Sequence, residues 1–170
     1  RDTCLCTEAN TRLKTHVDLA QGAQVIGWEI TCFGLPASNL FFDKGQINQT
    51  LEIRQQGRIK LRERMLINAD NLPLLQQTAG FNQQTINGLM VAGPCLNSQE
   101  DTLSIQLEKL IEQLQECCED INHDKCPAMA SVSLTGQFLL IRYLGASSEP
   151  TKILFHTCWE KKTPCLRQRC

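Results

Sequence analysis

Aromatic residues are scarce in this chain, at 5% of 170 residues, so a core has to be built mainly from leucine, isoleucine and valine. An excess of one charge is also missing. The formal net charge is −1, which argues against nucleic acid as the main partner. No apolar run is long enough to span a bilayer, and no charged-apolar-small leader of the secretory type stands at the start. There is no Gly-x-Ser-x-Gly elbow, no His-Glu-x-x-His pair, no phosphate-cradling glycine loop and no EF-hand loop. The three histidines, His16, His123 and His156, are scattered. The expectation is therefore no catalytic residue, no cofactor, no metal and no membrane span. The chain opens at Arg1 without an initiator methionine, as a trimmed product would.

What the chain does have is cysteine. There are ten, Cys4, Cys6, Cys32, Cys95, Cys117, Cys118, Cys126, Cys158, Cys165 and Cys170. Structural zinc sites use paired Cys-x2–4-Cys knuckles. Here Cys4 and Cys6 are too close, and Cys117 and Cys118 are adjacent. An even, high count without knuckles predicts a disulfide framework in an oxidising compartment. Each unstrained bridge would contribute about 2–4 kcal/mol. The one Asn-x-Thr sequon, Asn48-Gln49-Thr50, fits that compartment as a glycosylation site.

The clearest local pattern is Asn97 to Cys118. Leu103, Leu107, Leu110, Ile111, Leu114, Cys117 and Cys118 share one arc at roughly 100° per residue, the period of a helix. Glu108, Lys109, Glu112, Gln113 and Glu116 fall on the opposite side, and Ile105 is the apolar exception there. Asn97 or Ser98 can cap the first N–H groups, and Glu100 and Asp101 suit the positive end of the dipole. The paired cysteines at the end would fasten two other segments.

The rest reads as strands. In RLKTHVDLA, Leu13, Thr15, Val17 and Leu19 alternate with Lys14, His16 and Asp18. In QVIGWEITCF, Ile26, Trp28, Ile30 and Cys32 share a face. LEIRQQGRIKLRER predicts a hairpin turning at Gln56-Gly57, with a helix from Arg58 as the rival. Residues 68–94 are hard to read, with a turn at Asn68 to Pro73 and a strand in TINGLMVAG. Ser131 to Leu144 is again β-rich, with Gly136 as bulge or turn. Gly145 to Pro150 predicts a hairpin loop and TKILFHTCW the returning strand. The order predicts an α+β fold over residues 1–170, one extracellular domain. A mostly antiparallel sheet would pack on the principal amphipathic helix, 98–118, stapled by disulfides.

Charge is unevenly placed. Residues 97–125 carry a net −6 and residues 152–170 a net +4. The hairpin's outer face holds Arg54, Arg58, Lys60 and Arg62, and the tail holds Lys161, Lys162, Arg167 and Arg169. These eight are the candidate partner-binding residues. They imply a protein partner, a cell-surface receptor or a secreted protein, with a sulfated glycan as a further candidate. The reading is a secreted, non-enzymatic signalling or receptor-binding protein, an extracellular ligand or immune-modulating decoy. A carrier of a small apolar ligand, or a secreted protease inhibitor, is the alternative.

Overall fold

A computed structural model describes residues 1–96, 105–122 and 128–167, with side chains described up to residue 161. In chain order the strands are β1 (Asp2–Leu5), β2 (Asn10–Leu19), β3 (Val25–Leu35), β4 (Leu40–Phe41), β5 (Gln46–Gln55), β6 (Arg58–Ile67) and β7 (Ile86–Gly93). Then follow helix α1 (Ile105–Asn122), strands β8 (Met129–Thr135) and β9 (Phe138–Gly145), and helix α2 (Ser148–Arg167). Two compact units result. A strand unit comprises Asp2–Ala23 and Thr31–Thr85, and a helical unit comprises Arg1, Gln24–Ile30 and Ile86–Cys170.

In the strand unit, β5 lies between β2 and β6. The β2 strand keeps its predicted alternation, with Leu13, Val17 and Leu19 turned inward and Lys14, His16 and Asp18 exposed. It pairs with β5 in parallel, against the antiparallel expectation. The predicted hairpin forms between β5 and β6, which are antiparallel with Gln55 opposite Arg58. Both turn residues have positive φ, Gln56 at 52° and Gly57 at 72°, the geometry that matches the twist of the flanking strands. The core of this unit gathers Leu5, Phe33, Phe42, Ile47, Ile67 and Leu75. The Phe33 ring meets Phe42 and Phe81 edge-on, with centroids 5.8 and 5.3 Å away.

In the helical unit, β9 pairs antiparallel with both β7 and β8. The tight turn between β8 and β9 falls at Gly136, φ 57°. Helix α1 buries Leu107, Leu110, Leu114, Cys117 and Cys118 of the predicted arc, Ile111 is half-buried, Leu103 lies outside the described residues, and Ile105 is 82% exposed. It runs to Asn122, past the predicted end. The Asn122 side chain holds β8, accepting from Ala130 N at 2.6 Å and donating to Ala130 O at 3.1 Å. Its expected caps and first turn, residues 97–104, lie outside the described residues.

Three expectations about the fold are corrected. Among the described residues the fold is mostly β with two α-helices, and α+β with a single helix does not describe it. The segment from Ser148, expected as loop and strand, is α2. Its buried residues, Thr151, Leu154, Phe155 and Cys158, recur at three- and four-residue steps. The helix starts on Ser147, whose O accepts from Thr151 Oγ1 at 3.4 Å, and Pro150 sits in the first turn, where no amide donor is required. α2 lies close on β7, because a Cβ at Gly88 would meet Thr151 Cγ2 at 2.7 Å and Phe155 Cζ at 2.9 Å. Third, no disulfide staples the described residues. Cys4, Cys6, Cys32, Cys117, Cys118 and Cys158 are all free thiols. Cys126 and Cys170 lie outside the described residues, and the side chain of Cys165 does too.

Candidate functional site

The strand unit carries a cavity of about 330 Å³. Its walls are Phe33, Phe41, Phe42 and Leu75, and its polar lining comes from Asp43, Gln76, Gln83, Gln84 and Thr85. Local sequence explains how these residues are brought together. Gly34, φ +86°, lets β4 fold back on β3, since a Cβ there would lie 2.4 Å from Leu40 O. That approach places Phe41 and Phe42 beside Phe33. On the other side, an asparagine turn starts a 3-10 helix at Leu72–Leu75. Asn71 Nδ2 donates to Leu66 O at 2.8 Å, and Asn68 N donates to Asn71 Oδ1 at 2.7 Å.

The loop that closes the cavity is tied down by its backbone. Phe81 N donates to Leu74 O at 2.8 Å, Gln83 N to Leu75 O at 2.9 Å and Gln84 N to Phe81 O at 2.8 Å. Gly80 is required here, because a Cβ would lie 2.2 Å from Leu74 O. Asn82 and Gln83 take left-handed φ, 49° and 62°. Two adjacent non-glycine residues in that region store backbone strain of the kind found at binding sites.

Two polar atoms of this lining have no partner among the described residues. Gln84 Oε1 and Thr85 Oγ1 are buried and make no hydrogen bond. Gln84 is only 9% exposed. A buried acceptor without a donor costs about 1–3 kcal/mol. Phe41, which lines the cavity, is 54% exposed, and Leu40 beside it in β4 is 52% exposed. Exposed apolar side chains beside a cavity suit an apolar group of a partner.

The basic hairpin face is weaker as a site than its composition implied. Glu52, on β5, is buried beneath two of the expected contact residues. Arg54 Nε donates to Glu52 Oε1 at 2.6 Å, and Arg62 Nε to Glu52 Oε2 at 2.9 Å. Hydrogen bonds from Arg62 first, then Arg54, hold the Glu52 carboxyl below the usual carboxylate range. Arg58 and Lys60 are exposed at the hairpin end. Lys161 is half-buried on α2, which also holds Lys162 and Arg167, whose side chains are not described. Arg169 lies outside the described residues. The sequon residue Asn48 is half-buried in the middle strand and accepts from Arg64 Nε at 3.4 Å.

The thiols divide sharply. Cys117, Cys118 and Cys158 are buried where α1 meets α2. Burial first, then the nearby Cys117 and Cys118, pushes the Cys158 thiol up to about 12. Burial, then Cys117 and Glu119, pushes Cys118 up to about 11. These are inert core thiols rather than nucleophiles. His156, expected beside Cys158 on a strand face, is exposed on α2 and lies 3.6 Å from Glu160. Two residues apart on a helix is about 200°, slightly more than half a turn, so the pair separates.

Sequence reasoning missed the cavity altogether. The only hints were Asn68, Asp70, Asn71 and Pro73 as a turn and the glycine at 80.

Comparison with known proteins gives the family. The family model described as UreD urease accessory protein matches residues 1–170. Among curated relatives, the urease accessory protein UreD of Marinomonas sp. (strain MWYL1) is 40% identical over 166 residues, 98% of this chain and 51% of that protein. The UreD of Methylobacillus flagellatus is 28% identical over 156 residues, 92% of this chain and 50% of its own length. That of Aliivibrio fischeri (strain MJ11) is 29% identical over 153 residues, 90% and 51%. The chain thus spans about half the length of the curated relatives it matches. These matches overturn the reading as a secreted, extracellular signalling glycoprotein with a cell-surface receptor, secreted protein or sulfated glycan as partner. The ligand-carrier and protease-inhibitor alternatives fall with it. Every residue of the chain is covered by one family description, and the chain belongs to the UreD urease accessory protein family.

Proposed function

We propose that this chain serves urease as a non-enzymatic accessory and does so by binding protein, with the cavity of the strand unit as the receiving surface. The observation that carries the reading is the family match over all 170 residues. The cavity supports the choice of surface. A partner's apolar side chain would cover Phe41 and Leu40. Desolvated apolar anchors are where protein interfaces concentrate their free energy.

The test uses the full-length protein that contains this chain, co-expressed with urease. Phe41→Asp places a charge on the rim at an exposed position. Urease activity in the cell lysate is expected to fall at least tenfold while the variant stays folded and soluble. Mature purified urease should turn over urea equally well with or without the protein. Unchanged urease maturation in the Phe41→Asp strain would remove the cavity from the account.

A further inference from the structure

Two thiols of the strand unit converge on a single backbone oxygen. Cys4, on β1, donates from Sγ to Gly34 O at 3.3 Å, and Cys32, on β3, donates from Sγ to the same oxygen at 3.2 Å. The acceptor is held in place by the fold. Gly34 has φ +86°, and a Cβ there would clash with Leu40 O and with the backbone of Phe41 and Phe42. The two sulfurs are therefore brought together by rigid strands, in the way a preorganised ligand pair is. Cys4 is exposed and gives an entry path, while Cys32 is half-buried and gives shelter from water.

We propose that Cys4 and Cys32 form a two-sulfur binding site for a soft, closed-shell monovalent metal ion of the copper(I) class. The donor set selects the ion. Among the described residues no group of three or more His, Cys, Asp or Glu converges to hold a metal. That excludes the four-ligand zinc site and the oxygen cages of calcium and magnesium. Two thiolates with at most a carbonyl oxygen beside them suit a soft ion that accepts two-coordinate sulfur ligation.

Binding is a proton exchange without redox: one copper(I) ion replaces the two S–H protons, forms two Cu–S bonds and leaves a bis-thiolate of net charge −1, with both protons passing to the buffer. Affinity accordingly rises with pH. The buried trio in the helical unit has no comparable access.

Copper(I) itself is the probe. The reduced protein, kept under argon, is titrated with copper(I) against the chromogenic competitor bicinchoninate. Wild type, Cys4→Ser, Cys32→Ser and the control Cys6→Ser are compared, each checked for folding by circular dichroism. Wild type and Cys6→Ser are expected to withhold a first equivalent that Cys4→Ser and Cys32→Ser both surrender. X-ray absorption at the copper edge should then show two sulfur neighbours. Should Cys32→Ser fail to fold, the exposed Cys4→Ser carries the comparison alone. Equal retention by Cys4→Ser and wild type overturns the proposal, as does a coordination shell of three or more sulfurs. A Cys4–Cys32 crosslink formed in place of copper uptake also overturns it.

Discussion

In the helical unit, Cys118 and Cys158 are packed out of reach and their thiols are held protonated. In the strand unit, Cys4 and Cys6 face water and Cys32 is half-open. The polar atoms follow the same division. At the junction of α1 and β8, Asn122 is satisfied by backbone on both its donor and its acceptor side. In two residues that line the cavity, Gln84 Oε1 and Thr85 Oγ1 are buried without a hydrogen bond among the described residues. One unit has spent its chemistry on closing a core, and the other holds unsatisfied groups at a concave surface. Residue type does not make this distinction. A cysteine or an amide becomes a reactive or receptive group only when the fold leaves it short of packing or partners.

Thiol labelling should separate the units most strongly. With a thiol reagent at neutral pH, Cys4 and Cys6 are expected to react in the native state, and Cys118 and Cys158 only on unfolding, as read by peptide mass. Early labelling at Cys158 would mean that the α1–α2 contact opens. Next in size is Phe155→Ala. Phe155 is fully buried against Gly88 and the Trp28 ring. Truncation should destabilise by about 3–5 kcal/mol in urea unfolding, because the cavity left behind cannot collapse. A loss below 1 kcal/mol would show that this core is loosely packed.

In the strand unit the expected sign reverses. Gln84→Met keeps the volume and removes an unsatisfied buried acceptor, so stability should hold or rise by about 1 kcal/mol. A clear loss would show that Gln84 is partnered. The smallest effect concerns Glu52, whose folded pKa is lowered by Arg62 and Arg54. A lowered carboxylate contributes stability above its unfolded pKa and loses it as the pH falls through the folded value. Wild type should therefore be more stable than Glu52→Gln at neutral pH, and the gap should close in acid. A gap that persists through the acid range would assign it to packing instead.

Legibility in the sequence followed the range of the interactions. The inward arc of α1, the alternation of β2 and the β5–β6 hairpin are encoded by neighbours a few residues apart, and they were readable. The second helix was missed because Ile153, Phe155 and Thr157 alternate like a strand. The better pattern was Thr151, Leu154, Phe155 and Cys158, introduced by Ser147, Glu149 and Pro150. The disulfides were expected from a count, yet a cysteine on a helix face can serve simply as a small apolar residue. The cavity joins Phe33, Phe42, Leu75 and Gln84, which are far apart in the chain, and no local rule brings them together. The basic face was legible in composition only, since its pairing with Glu52 depends on register.

We propose that the open face of the strand unit is the surface through which this chain serves urease. Lysate urease activity with Phe41→Asp in the full-length protein tests it most directly, measured beside the wild type at equal soluble protein. The account predicts at least a tenfold loss with the fold intact. Activity equal to wild type, with the charged rim in place, would contradict it.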